Sequence, residues 1–147
     1  MKELIFNEGQ NLKDRLCEIS EFMYHNPELG NEEFKSAQKL ISLLEEHNFT
    51  VEKEFLGLKT AFRAVYDCNK PGLTVGYLCE YDALPEIGHG CGHNMIGVMS
   101  SAAGVILSKV LDEVGGRIIV YGTPAEETDG AKVIFAEAGV FEELDAA

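Results

Sequence analysis

Residues 117–122, RIIVYG, run apolar without alternation between a diglycine and a threonine-proline pair. A strand with one wet face alternates apolar and polar residues, whereas a short continuous apolar run is the mark of a strand covered on both faces. The segments around it agree. Residues 94–111 are dense in apolar side chains interleaved with Ala and Ser, a composition that suits a helix buried against a sheet, and DEVGG closes it. Asn94 is placed to cap that helix. After the strand, DGAKVIFAEAG reads as another helix, stopped by Gly139. Helices and strands thus alternate through the second half, and the fold class is α/β with a mixed, partly parallel sheet.

The first half begins with Leu12, Leu16, Ile19 and Met23 at helical spacing, which predicts an amphipathic helix over about residues 8–24. HNPELG breaks it. A second helix carries Phe34, Ala37, Leu40, Ile41 and Leu44 on one stripe and ends near EHNF, where Asn48 can take a left-handed cap. FTVEKEF alternates like a strand, and TAFRAVYDC and LTVGYLC flank the turn sequence NKPG, which predicts a hairpin. Met95 and Met99 read as core, and Cys17, Cys68 and Cys79 as small apolar packing groups. The last residues, FEELDAA, carry no helix stop, and LDAA fits the start of a further strand. The 147 residues suit one domain and read as the N-terminal portion of something longer.

A formal net charge of -13 disfavours nucleic acid, whose phosphates need Lys and Arg, and an anionic membrane surface. The longest uncharged stretch, Asn94 to Ser108, is shorter than the roughly 20 apolar residues a bilayer span takes. The N-terminus lacks the pattern of a signal peptide, and the four cysteines lack the density of a disulfide framework. Reduced thiols and a cytoplasmic location are expected.

Three polar clusters stand out. EYDALPE follows one predicted strand and TPAEET another, and ligands in open α/β sheets sit beyond the carboxyl ends of strands. Between them lies EIGHGCGHNMIG. Cys91 and His93 are separated by a glycine, so in irregular backbone both can turn toward one ion, and thiolate and imidazole are both zinc ligands. Taken alone, the pair also fits an inert cysteine beside a solvent-facing histidine. Glu126 and Glu127 are adjacent, so their carboxylates point apart: one can bind a metal while the other reaches a water. They also fit a solvated pair near a helix start. Asp82 is placed to fix the ring of a metal-binding histidine, or to form a turn ahead of Pro85. His25 and His47 sit at helix ends, and His89 reads as a hydrogen-bonding loop residue.

CEYDALPEIGHGCGHN followed by GTPAEE, together with NPELGNEEFKSAQKL near the start, resembles the metal-dependent aminoacylase/carboxypeptidase family of zinc metallopeptidases. Within that family it looks like the amidohydrolase branch of aminobenzoyl-glutamate utilisation proteins and β-alanyl-lysine-type dipeptidases. The resemblance implies a three-layer catalytic domain, of which residues 1–147 would be the N-terminal part, without the dimerisation and lid domain or the C-terminal catalytic segment. It implies two divalent metal ions, zinc or manganese, with zinc favoured by the thiolate. It implies hydrolysis of an amide bond in a dipeptide or N-acyl amino acid by a water shared between the metals.

Carried over by position, the resemblance makes Cys91, His93 and Glu127 metal ligands, Glu126 the general base, and Asp82 the supporting aspartate. Glu80 stands where other branches carry a ligating histidine and is expected to bind no metal. The full-length form would be a homodimer. Two other functions are carried beside this one: an inactive, truncated metal-binding or oligomerisation module, and a cysteine hydrolase using Cys91 with a histidine base.

Overall fold

The structure, a computed structural model, describes Met1–Ala147. Its centre is β4 (Arg117–Gly122), whose last five residues are all buried. It lies in a four-stranded sheet with β1 (Thr50–Lys53), β2 (Phe62–Asp67) and β3 (Thr74–Cys79), ordered β1-β2-β4-β3. β4 runs antiparallel to β2 and parallel to β3. Its side chains alternate between two cores. Ile118 and Val120 join the larger, built with α1 (Lys2–His25), α2 (Phe34–Glu46) and α3 (His93–Ser108). Ile119 and Tyr121 join the smaller, with Phe55, Ala131 and Phe135. The latter two come from α5 (Ala131–Glu137), which follows the short α4 (Leu111–Val114) and β4. Helices therefore cover both faces of a mixed sheet, the three-layer α/β arrangement expected.

The predicted hairpin does not form. The chain around NKPG makes the reversal, but β4 enters between the two arms. Gly116 donates to the Lys70 carbonyl, and Arg117 donates to the Leu73 carbonyl. The six residues between β2 and β3 can straddle a strand, and the more apolar β4 takes the position with two partners and two covered faces. A turn signal between two strands fixes a reversal, not a pairing.

Several smaller expectations also change. The first helix starts at Lys2 rather than near residue 8, since no breaker interrupts residues 2–7, and its early Ile5 and Phe6 stay exposed. Asn94 does not cap α3. Gly92, at φ 80°, holds that position, and the buried Asn94 side chain donates instead to the carbonyl and hydroxyl of Ser20 on α1. Met95 and Met99 are 54% and 61% exposed, because the buried stripe of α3 runs through Val98, Ala102 and Val105 on the other side. Cys17 is exposed, whereas Cys79 is buried and its thiol is pushed up to about 12 by desolvation.

Other expectations hold. Asn48 takes φ 66° after α2, and Gly139 takes φ 70° after α5. All four cysteines are free thiols. The LDAA segment reaches the outer edge of β3, where Ala146 bridges Val75 in parallel and Gly76 donates to the Ala146 carbonyl at 2.8 Å. No helix is long and apolar enough to cross a membrane.

Candidate metal centre

The carboxyl ends of β3 and β4 lie side by side, with Cys79 opposite Gly122. The chain leaving β3 supplies Glu80 and Asp82, and the chain leaving β4 supplies Glu126 and Glu127. The first turn of α3 brings His93 between them. Gly97 allows this approach: a Cβ there would lie 2.6 Å from the Glu80 carbonyl oxygen, so α3 packs against that backbone only because the position has no side chain.

His93 is buried and its two nitrogens face different surroundings. Nδ1 lies 3.0 Å from Asp82 Oδ1 and 3.1 Å from the Asp82 carbonyl oxygen. With both neighbours acceptors, Nδ1 carries the proton and Nε2 keeps its lone pair. Nε2 faces Glu80 Oε2 at 3.4 Å, Glu127 Oε1 at 3.8 Å and Glu126 Oε2 at 3.9 Å. Asp82 Oδ2 also accepts the Glu127 backbone N–H at 3.2 Å, so one buried carboxylate fixes both the histidine and the strand-end loop.

The loop before Glu126 is held from below. Ala125 has φ 56°, a conformation that costs a side-chain-bearing residue about 1 kcal/mol or more. Its N–H donates to Glu33 Oε1 at 2.8 Å, and Thr60 Oγ1 donates to the other Glu33 oxygen at 2.9 Å. Glu33 is fully buried, and its carboxyl is raised by desolvation against the pull of these hydrogen bonds.

The donor atoms of His93, Glu126 and Glu127 all lie within 4.8 Å of one another. Ligands about 2.0–2.1 Å from a tetrahedral ion sit about 3.4 Å apart, so this spacing fits a divalent cation. The histidine lone pair aimed at carboxylates fits the same chemistry. Cys91 is exposed and does not join that compact group. It stands beside Glu127, whose carboxylate raises the thiol pKa. A nucleophilic cysteine needs the opposite shift, which weighs against a cysteine hydrolase.

Two participants escaped sequence reasoning. Lys132, in the first turn of α5, forms an ion pair with Glu80 and lies 3.8 Å from Glu126 Oε1. A lysine in the first turn of a helix opposes the helix dipole, a faint sign that it has a partner elsewhere. Glu33 reads in sequence as an ordinary acid ahead of α2, and nothing local marks its burial. His89, expected as a hydrogen-bonding loop residue, is buried with neither ring nitrogen hydrogen-bonded.

No protein-family model matches the chain. The Xaa-Arg dipeptidase of Mus musculus is 39% identical over 145 residues, covering 90% of this chain and 33% of the relative. A p-aminobenzoyl-glutamate hydrolase from Escherichia coli K12 is 35% identical over 154 residues, covering 92% of this chain and 32% of the relative. The chain thus spans about a third of the length of these relatives. Among solved structures, a dinuclear metal binding peptidase of the M20 family from Bacillus subtilis superposes with a TM-score of 0.75 at 24% identity, covering 92% of this chain and 41% of that one. An aminobenzoyl-glutamate utilization protein from Klebsiella pneumoniae superposes with a TM-score of 0.73 at 21% identity, covering 93% and 43%. The resemblance carried by the three motifs is borne out by the relatives, and the α/β class by the structures.

Proposed function

We propose that this chain is part of a metal-dependent amidohydrolase related to the dipeptidases and aminobenzoyl-glutamate hydrolases it resembles, and that its substrate is a dipeptide or N-acyl amino acid. The observation that carries this reading is the two-sided hold on His93. Asp82 takes one ring nitrogen, and the other is left facing Glu126 and Glu127. His93, Glu127 and Cys91 are the metal ligands of the proposal. Three protein ligands suffice for one catalytic ion with an open position, so a second ion needs further donors. The thiolate favours zinc over manganese.

When bound, divalent ions would polarise the scissile carbonyl and acidify a water. The residues supply the rest. Asp82 keeps the His93 ring in one tautomer and orientation. Glu126, partly exposed at the rim, is the general base. It takes a proton as the water oxygen bonds to the carbonyl carbon, then delivers it to the departing nitrogen as the C–N bond breaks. The electron pair of that bond leaves with the amine.

Metal content and hydrolysis of N-acyl amino acids and dipeptides, measured on the same preparations, test the proposal. His93→Ala and Glu127→Ala should lose both metal and rate, and a chelator should abolish the rate. Glu126→Gln should retain metal while the rate falls about 100-fold or more. Undiminished hydrolysis after chelation, with loss on thiol alkylation, would replace this reading by a cysteine hydrolase. Metal binding without turnover of either substrate class would leave only a metal-binding module.

A further inference from the structure

Glu80 presents the shortest carboxylate approach to His93 Nε2, at 3.4 Å, and its side chain is only 17% exposed. By position and charge it is as fit to bind a cation as Glu127. What separates the two is Lys132. Its ammonium pairs with Glu80 Oε1 and lies 3.8 Å from Glu126 Oε1. Glu127 has no such cation. Lys132 is brought there by the loop that leaves Glu127 and turns into α5, so the same segment that carries two acids of the centre also carries the base that engages a third.

We propose that Lys132 is a positioning residue that selects which carboxylates bind metal: by holding Glu80 in an ion pair it withdraws that side chain from the ligand set and leaves the ion to His93, Glu127 and Cys91. The inference rests on the metal centre proposed above and adds to it the rule by which four acids, Glu80, Asp82, Glu126 and Glu127, are sorted. Asp82 is occupied by His93 and a backbone N–H, and Glu80 by Lys132. Glu127 is free to ligate and Glu126 to move a proton. The ammonium near Glu126 also offsets part of the repulsion among the clustered carboxylates before a cation arrives.

Zinc affinity of the purified chain, read by competition with a chromophoric chelator, tests this without reference to turnover. Lys132→Met frees Glu80 and should bind zinc roughly tenfold more tightly than wild type. Lys132→Met combined with Glu80→Gln should return the affinity to the wild-type range, because the gain depends on the released carboxylate. Lys132→Arg keeps the ion pair and should bind as wild type does; far-UV circular dichroism checks that each variant is folded. An unchanged affinity in folded Lys132→Met would overturn the inference. So would a gain that survives in the double variant, since that would reflect only the loss of a nearby positive charge. Equal zinc binding by wild type and His93→Ala would instead strike at the metal centre itself, and this inference would fall with it.

Discussion

Glu33 shows how much a single buried side chain can govern. Its two oxygens hold the Ala125 N–H and the Thr60 hydroxyl, and through Ala125 they set the backbone from which Glu126 projects. Glu33→Ala would leave a buried N–H unpaired and open a gap below a backbone position already at positive φ. A loss on the order of 2–3 kcal/mol is expected in chemical denaturation. Glu33→Gln still offers a carbonyl oxygen to Ala125, and the Thr60 hydroxyl can rotate, so its loss should be smaller. Desolvation raises the Glu33 carboxyl, so the native state holds its proton to higher pH than the unfolded chain does. Its contribution is therefore full below the ordinary carboxyl range and is lost as pH rises from there through the raised value. Glu33→Gln should flatten the pH dependence of stability across that window, measured as the urea midpoint at a series of pH values. An undiminished slope in the variant would assign it to other groups.

Among the elements, α3 couples packing most directly to the site. Gly97 faces the Glu80 backbone, and the first turn, four residues earlier, presents His93 to Asp82. Gly97→Ala should push α3 off the sheet edge, costing about 1–3 kcal/mol in stability. It should also weaken zinc binding, because the histidine moves with the helix. Loss of stability with unchanged zinc affinity would show that the first turn adjusts independently. The same helix marks where sequence pattern stops being informative. Its existence and apolar character are plain in the sequence, but it is apolar nearly all round. No amphipathic stripe tells Val98 and Ala102 from Met95 and Met99, so pattern alone assigns the two methionines to the wrong side. β4 is the reverse case: a run apolar at every position can only be covered on both faces. Its neighbours are less legible. NKPG announces a reversal, and only the competition among strands for the central position decides that β2 and β3 end apart.

For the whole molecule, the legible part of the site is its chemistry and the hidden part its counter-charges. Cys91, His93, Glu126 and Glu127 stand out because such residue types are uncommon together after strands. Lys132 and Glu33 acquire their roles only when distant segments meet, which spacing along the chain does not encode. A cation that binds the folded centre and not the unfolded chain should stabilise the molecule by about 2.7 kcal/mol at a free concentration 100 times Kd. For a domain of this size that corresponds to a rise in Tm of about 5–10 °C. Thermal unfolding with and without zinc reads it, and the rise should vanish in His93→Ala. A rise retained in that variant would place the bound zinc elsewhere.

The alternation along β4 has a mechanical consequence. Ile118 and Val120 belong to one interior and Ile119 and Tyr121 to the other, so a single stretch of backbone is the common wall of both. Neither compartment can loosen by itself without unseating side chains of the other through shared peptide units. The molecule should therefore melt as one cooperative body, and the amides of this strand should be the last to exchange with solvent.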